Sequence, residues 1–161
     1  MKILWPLLVG GILIMLPKRG WTIPDKGLPF KKDFTFAETN YNIPRNLLAR
    51  VAYQESRFRD DIISGELVSS AGAQGIMQII PRYHPTAQPL IPSRAIEYAG
   101  FYLKKLYTRF GSWDKALAAY NWGPTILSKT IKKYGDDWFE KIPSMTRTYV
   151  TQILRDIPQA A

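Results

Sequence analysis

The chain has 161 residues, of which 46% are apolar and 13% aromatic, and a formal net charge of +9. That size and composition suit one folded domain around a single core and exclude a disordered chain. There is no cysteine and one histidine, His84, which excludes disulfides, thiolate metal sites, a cysteine nucleophile and a histidine-rich metal centre. A Ser-His-Asp triad would have to use His84, which sits in the loop-like string Arg82-Tyr-His-Pro85. The basic balance suits an acidic partner such as nucleic acid, anionic lipid headgroups or acidic wall polymers. It forms no long block, however, and Lys132-Lys133 falls on an ordinary amphipathic helix.

The first element is hydrophobic. Ile3 to Leu16 is apolar throughout, with Lys2 before it and Pro17-Lys-Arg-Gly20 after it. A charged start and a short apolar run suit a secretory signal, but no small-x-small cleavage site follows. The run is short for a full span, which takes about 20 residues. Lys18 and Arg19 can snorkel and extend it. An uncleaved membrane anchor is therefore favoured over a cleaved signal for residues 1–20. Basic residues after the run (Lys18, Arg19, Lys26, Lys31, Lys32) outnumber those before it, which argues against simple export. Residues 21–31, with Pro, Lys and Gly in no periodic pattern, read as a linker, leaving 32–161 as the folded body.

From Asp33 onward the pattern is helical. Asn42 is placed to cap a helix with Pro44 in its early turn. Leu47, Leu48, Val51, Ala52 and Glu55 recur at three- and four-residue steps and so share one face. Glu55, in Ala52-Tyr-Gln-Glu-Ser56, thus ends an apolar stripe. Desolvation there would raise its pKa and hold a proton for general-acid work. The other reading is a surface glutamate paired with Arg59, four residues on, and spacing alone does not choose. Ser64 to Gly75 is a loop. In Gly75-Ile-Met-Gln-Ile-Ile80, Met77 reads as a packing residue, and Gln78 needs a partner, either backbone or a sugar. Pro92 to Phe110 is an amphipathic helix with Ile96, Ala99, Leu103, Leu106 and Phe110 as its core stripe and Gly111 as its stop. Ser112 can cap the next, Trp113 to Asn121, which closes at Gly123-Pro124. Tyr120 and Asn121 occupy its last turn. A final helix begins near Pro143 and carries Tyr149, Val150, Ile153 and Leu154.

In this order, Glu55-Ser56, Gly75-Ile-Met-Gln78, Ala119-Tyr-Asn-Trp-Gly123 and Tyr149-Val150 resemble the blocks of the soluble-type lytic transglycosylases, which share the goose-type lysozyme fold. The resemblance spans about residues 35–155. It implies a mainly α, lysozyme-like helical domain with a substrate cleft and little or no sheet. It also implies cleavage of the β-1,4 bond between N-acetylmuramic acid and N-acetylglucosamine, leaving 1,6-anhydromuramic ends, without cofactor or metal. By position, Glu55 would be the catalytic acid/base. Ser56, Met77 and Gln78 would line sugar subsites, Tyr120 and Asn121 would flank the glutamate, and Tyr149 would orient its carboxyl. One departure stands out: the last block of the family usually carries a glutamate where this chain has Met145.

Most glycosidases use two carboxylates. The acids near Glu55, namely Asp60, Asp61 and Glu66, lie in polar loop sequence. A one-carboxylate route needs no second acid, because the C6 hydroxyl of the muramic residue is a tethered nucleophile. Trp113, Tyr120, Trp122 and Tyr149 are candidates for cleft rings. A hydrolytic muramidase using Asp60, Asp61 or Glu66, or a wall-binding subunit without activity, are the alternatives. No nucleic-acid partner is expected, since no basic helix face with interleaved aromatics appears. The expected partners are peptidoglycan strands and, through the N-terminal segment, a membrane. The expected place is the bacterial envelope or a virion, for local wall opening in phage entry, conjugation or secretion.

Overall fold

The computed structural model describes residues 20–157 and, before them, only the antiparallel pair Leu8–Val9 and Ile12–Leu13. Apart from that pair, the segment 1–19, including the expected anchor or signal, lies outside the described residues, as do 158–161. No helix among the described residues is long and apolar enough to cross a membrane.

Eight α-helices make up the described body: α1 Lys31–Asn40, α2 Leu47–Ser56, α3 Asp60–Ser64, α4 Pro92–Phe110, α5 Trp113–Trp122, α6 Pro124–Tyr134, α7 Trp138–Lys141 and α8 Ser144–Leu154. Among the described residues, extended pairing beyond the N-terminal pair is limited to one bridge, Gln74 with Ile79. Helix α5 is the central element, packing against α4, α6 and α8, while α1 lies across α4, and α2 rests on α8. The reason is composition. Ala116, Leu117, Ala118 and Ala119 are all buried, so this helix has almost no polar face in its middle. In α4 the buried set is Ala95, Ile96, Ala99, Gly100, Leu103 and Leu106, a three- and four-residue stripe. Gly100 permits a close approach: a Cβ there would stand 3.0 Å from Tyr41 Cδ2 and 3.3 Å from the side chains of Ala37 and Leu48.

Two local expectations change. The helix that carries Glu55 starts at Leu47, after a left-handed Asn46, and Asn42 is a left-handed turn residue rather than its cap. The capping acceptor comes from another element. Glu38 of α1 takes the Asn46 N–H on Oε2 and the Leu48 N–H on Oε1, both at 2.9 Å, satisfying donors that the helix cannot satisfy itself. Ser112 does stand at the N-cap position of α5, but its hydroxyl bonds Asp114 rather than the helix backbone.

The stretch 21–31, read as a linker, holds a 3-10 helix, Asp25–Phe30, docked on the body. Gly27 is buried there, and a Cβ would meet the Phe58 ring at 2.5 Å and Ile23 at 2.7 Å. Trp21 meets Tyr53 of α2 edge-on at 6.4 Å. Contacts of this kind follow no period, so a periodicity reading passes over them.

Candidate active site

Glu55 occupies the last turn of α2, and Tyr149 lies in the middle of α8, two helices that pack directly on each other. The Tyr149 hydroxyl donates to Glu55 Oε1 at 2.8 Å. Burial pushes the Glu55 carboxyl up to about 7, and the Tyr149 bond pulls the other way. The C-terminal end of α2 carries the negative end of its dipole, which further disfavours a carboxylate there. Burial and the neighbouring Glu55 charge hold Tyr149 and Tyr120 well above the ordinary phenol value, so both remain O–H donors. The surface pairing weighed for Glu55 does not form. Arg59 instead forks onto both carboxylate oxygens of Asp61.

The Gly75-Ile-Met-Gln78 string is a tight turn closed by two backbone bonds between Gln74 and Ile79, each 3.0 Å. Gly75 has φ +72°, and a Cβ would lie 1.8 Å from the Pro89 carbonyl oxygen, so no other residue fits this crossing. Ile76 and Met77 fill the core beneath. The Met77 carbonyl accepts the Tyr120 hydroxyl at 2.9 Å, which ties the turn to α5. Gln78, left-handed and half-buried, donates from Nε2 to the Gly75 carbonyl at 3.1 Å. Its backbone partner is thus settled, and its side chain also reaches a cavity.

That cavity, about 590 Å³, is walled by Gln78, His84, Tyr98, Tyr102, Tyr120 and Asn121 among others. Glu55 keeps some solvent contact but does not itself form this wall. Tyr120 connects the two, lining the cavity while interacting electrostatically with Glu55. Asn121 is exposed at the end of α5 and accepts the Thr146 hydroxyl of α8 at 2.9 Å. Met145, next to Thr146, projects into solvent at 84% exposure.

The structure therefore brings Glu55, Tyr149, Tyr120, Asn121 and Gln78 to one region. The expectation that the Ser56 and Met77 side chains line sugar subsites is corrected, because both have no exposed surface. Ser56 folds its hydroxyl onto the Ala52 carbonyl at 2.9 Å and accepts the Phe58 N–H at 3.2 Å. It shapes the end of α2 instead of facing a ligand. Of the candidate rings, Tyr120 and Trp122 line the cavity, whereas Trp113 is a core residue 4.4 Å from Tyr107.

The sequence reading missed the far wall. His84 Nδ1 lies 2.9 Å from the Tyr98 hydroxyl, its ring packs edge-on to Tyr102 at 4.7 Å, and Tyr102 reaches Tyr120 at 6.0 Å. Burial lowers the His84 pKa, favouring the neutral ring. The signal was present in Tyr98 and Tyr102, which recur four apart on α4 beside the core stripe.

Other acids stand apart. Asp60 is 90% exposed and pairs with Lys26 at 3.4 Å, Asp61 is held by Arg59, and Glu66 is exposed. The site can thus deliver and retrieve one proton from one desolvated carboxyl, beside a groove of aromatic and amide groups.

Residues 33–142 match the family model described as the transglycosylase SLT domain. Among solved structures, the chain is similar to the 70 kDa soluble lytic transglycosylase of Escherichia coli, with 27% identity, a TM-score of 0.64 and 78% of this chain covered. It is also similar to an inactive glutamate-to-glutamine variant of the lytic transglycosylase Slt of Pseudomonas aeruginosa, with 25% identity, a TM-score of 0.61 and 76% covered. The matched regions span 23% and 22% of those two chains, respectively.

Proposed function

This chain belongs to the transglycosylase SLT domain family, and on that premise we propose that it is a peptidoglycan lytic transglycosylase working with one carboxyl group, Glu55. The observation that carries this reading is the Glu55–Tyr149 pair, a desolvated carboxyl held at 2.8 Å by a phenol that stays protonated. Of the acids that follow it closely in sequence, Asp60 and Glu66 are exposed and Asp61 is half-buried, and Asp60 and Asp61 are engaged with Lys26 and Arg59. That supports a route needing no second carboxylate over a hydrolytic muramidase. The inactive glutamate-to-glutamine variant of the Pseudomonas aeruginosa relative is in keeping with a glutamate-dependent reaction.

The chemistry runs in two steps. Protonated Glu55 gives its proton to the glycosidic oxygen as the bond from muramic C1 to that oxygen breaks, and the C2 N-acetyl oxygen supports the electron-poor C1. Ionised Glu55 then takes the proton from the C6 hydroxyl, whose oxygen bonds to C1. The carboxyl is restored and no water is consumed. Because the nucleophile belongs to the same sugar, its effective concentration is high. Gln78, Tyr120 and Asn121 contact the sugars, and Tyr149 orients the carboxyl. Ser56 and Met77 act from below through backbone and packing.

The substrate is the glycan strand of peptidoglycan. The basic chain and its apolar start support an envelope setting, with residues 1–20 as the anchor and 32–161 as the catalytic domain. Local wall opening for phage entry, conjugation or secretion is the setting proposed for this reaction.

Mass spectrometry of fragments released from purified peptidoglycan by the full chain in non-ionic detergent tests this. Products one water lighter than hydrolysed muropeptides, absent with Glu55→Gln, are expected. Hydrolysed products would replace this reading with a muramidase, and no release from folded protein would leave a wall-binding role.

A further inference from the structure

A second cavity, about 400 Å³, lies on the opposite side of α2 from Glu55. The helical period sets Arg50, Tyr53 and Arg57 on one side of α2 and Glu55 roughly half a turn away. Trp21, Gln54, Gln152 of α8 and, just past α8, Arg155 and Asp156 complete the wall.

Arg50 is the unusual member. It is 5% exposed. Its Nη1 donates to the Ile153 carbonyl at 3.1 Å and to the Arg155 carbonyl. Its Nε–H has no acceptor among the described residues. The Trp21 ring centroid lies 5.1 Å from its guanidinium carbon. Arg57 is fixed in place, stacked on Tyr53 at 4.5 Å and bonded to Gln54 Oε1 at 3.0 Å. Among the described residues, none of the three arginines forms an ion pair with a carboxylate. Asp156 stabilises the Arg50 charge without reaching ion-pair distance, and Arg155 opposes it. Three cations thus stand with one anion around a roomy pocket, and the Arg50 Nε–H is left without an acceptor among the described residues. Buried charge in that state is costly, and guanidinium groups match oxyanions with paired donors.

We propose that this cavity binds a phosphate group, held by Arg50, Arg57 and Arg155 and capped by the edge of Trp21. Two sources carry that chemistry: the headgroup of an anionic lipid, or free phosphate. In sequence Trp21, which lines the pocket, follows closely on Lys18-Arg19-Gly20 and the apolar run. The site is independent of the reaction proposed for Glu55.

The test is calorimetric titration of the full chain, in non-ionic detergent, with inorganic phosphate. Beside it, partition onto phosphatidylglycerol vesicles is compared with partition onto phosphatidylcholine vesicles. The double variant Arg57→Gln/Arg155→Gln changes two exposed positions and should weaken phosphate binding or the anionic-lipid preference roughly tenfold or more. Lys129→Gln/Lys132→Gln removes the same charge from exposed positions of α6 and should leave both intact. Saturable phosphate binding lost in the arginine variant supports the site with free phosphate as its ligand. A loss confined to anionic vesicles supports it with the lipid headgroup as the source. No binding to either probe, no loss in the arginine variant, or equal losses in both double variants would overturn it.

Discussion

The two ends of α2 hold the same chemical group in opposite settings. At the start, Glu38 reaches in from α1 and accepts backbone N–H groups of Asn46 and Leu48. At the finish, Glu55 meets one phenol. Burial raises both carboxyls to about 7, so acidity alone does not tell them apart. Their partners do. Glu38 sits at the positive end of the helix dipole, enclosed and 6% exposed, with its oxygens engaged by the backbone. Glu55 sits at the negative end, keeps some solvent contact, and has one bond, from the Tyr149 side chain. Glu38 holds a helix start in place, whereas the oxygens of Glu55 are left more open, as the proposed proton exchange requires. A perturbed carboxyl marks a catalytic group only when its oxygens are left available.

That contrast can be broken most sharply with Glu55→Gln. Its activity on peptidoglycan should fall roughly 10³-fold while circular dichroism stays unchanged. Activity near wild type would remove Glu55 from the mechanism. Tyr149→Phe comes next. Its bond lowers the Glu55 pKa, so removing it should move the alkaline limb of the pH–rate profile upward and cut the rate roughly tenfold. An unmoved limb would deny Tyr149 its orienting role. Glu38→Ala belongs to the other end and should reduce stability by about 2 kcal/mol, read from denaturant midpoints, because buried N–H groups lose their acceptor. A neutral result would mean that water or a neighbour serves the helix start equally well.

A smaller effect concerns pH. Both carboxyls go from an ordinary 4.5 to about 7 on folding. Between those values the folded chain binds more protons than the unfolded one, so stability falls as pH rises through that window. Glu55→Gln should flatten part of this decline, which thermal unfolding at pH 5 and pH 8 would reveal. The smallest expectation is for Asp60→Asn/Asp61→Asn, an exposed and a half-buried position in surface ion pairs, where the rate of product release should match wild type. A large loss there would return the muramidase reading.

The sequence made α4 legible to its bounds, since Pro92 starts it, Gly111 stops it and one stripe runs between them. It also singled out Glu55, because a carboxyl at the end of an apolar stripe contradicts the usual polarity of a helix. The same logic applies to Glu38, which shares a face with Phe34 and Ala37. It went unread because its partners lie eight and ten residues away on another helix. Asn42 has the residue type of a cap, but the acceptor at this helix start, Glu38, is non-local. Ser56 and Met77 illustrate the converse. Their strings mark the site, but only packing shows that their side chains point beneath it. The His84 wall depended on a loop folding back against α4, which local pattern does not encode.

The most direct test of the central claim is a ¹³C-carboxyl NMR titration of glutamate-labelled protein, read beside the pH–rate profile. The resonance that disappears in Glu55→Gln should titrate near neutral pH, and wild-type activity should decline through the same value. If that resonance instead titrates near the ordinary 4.5, Glu55 is ionised when the enzyme works, and it is not the proton donor.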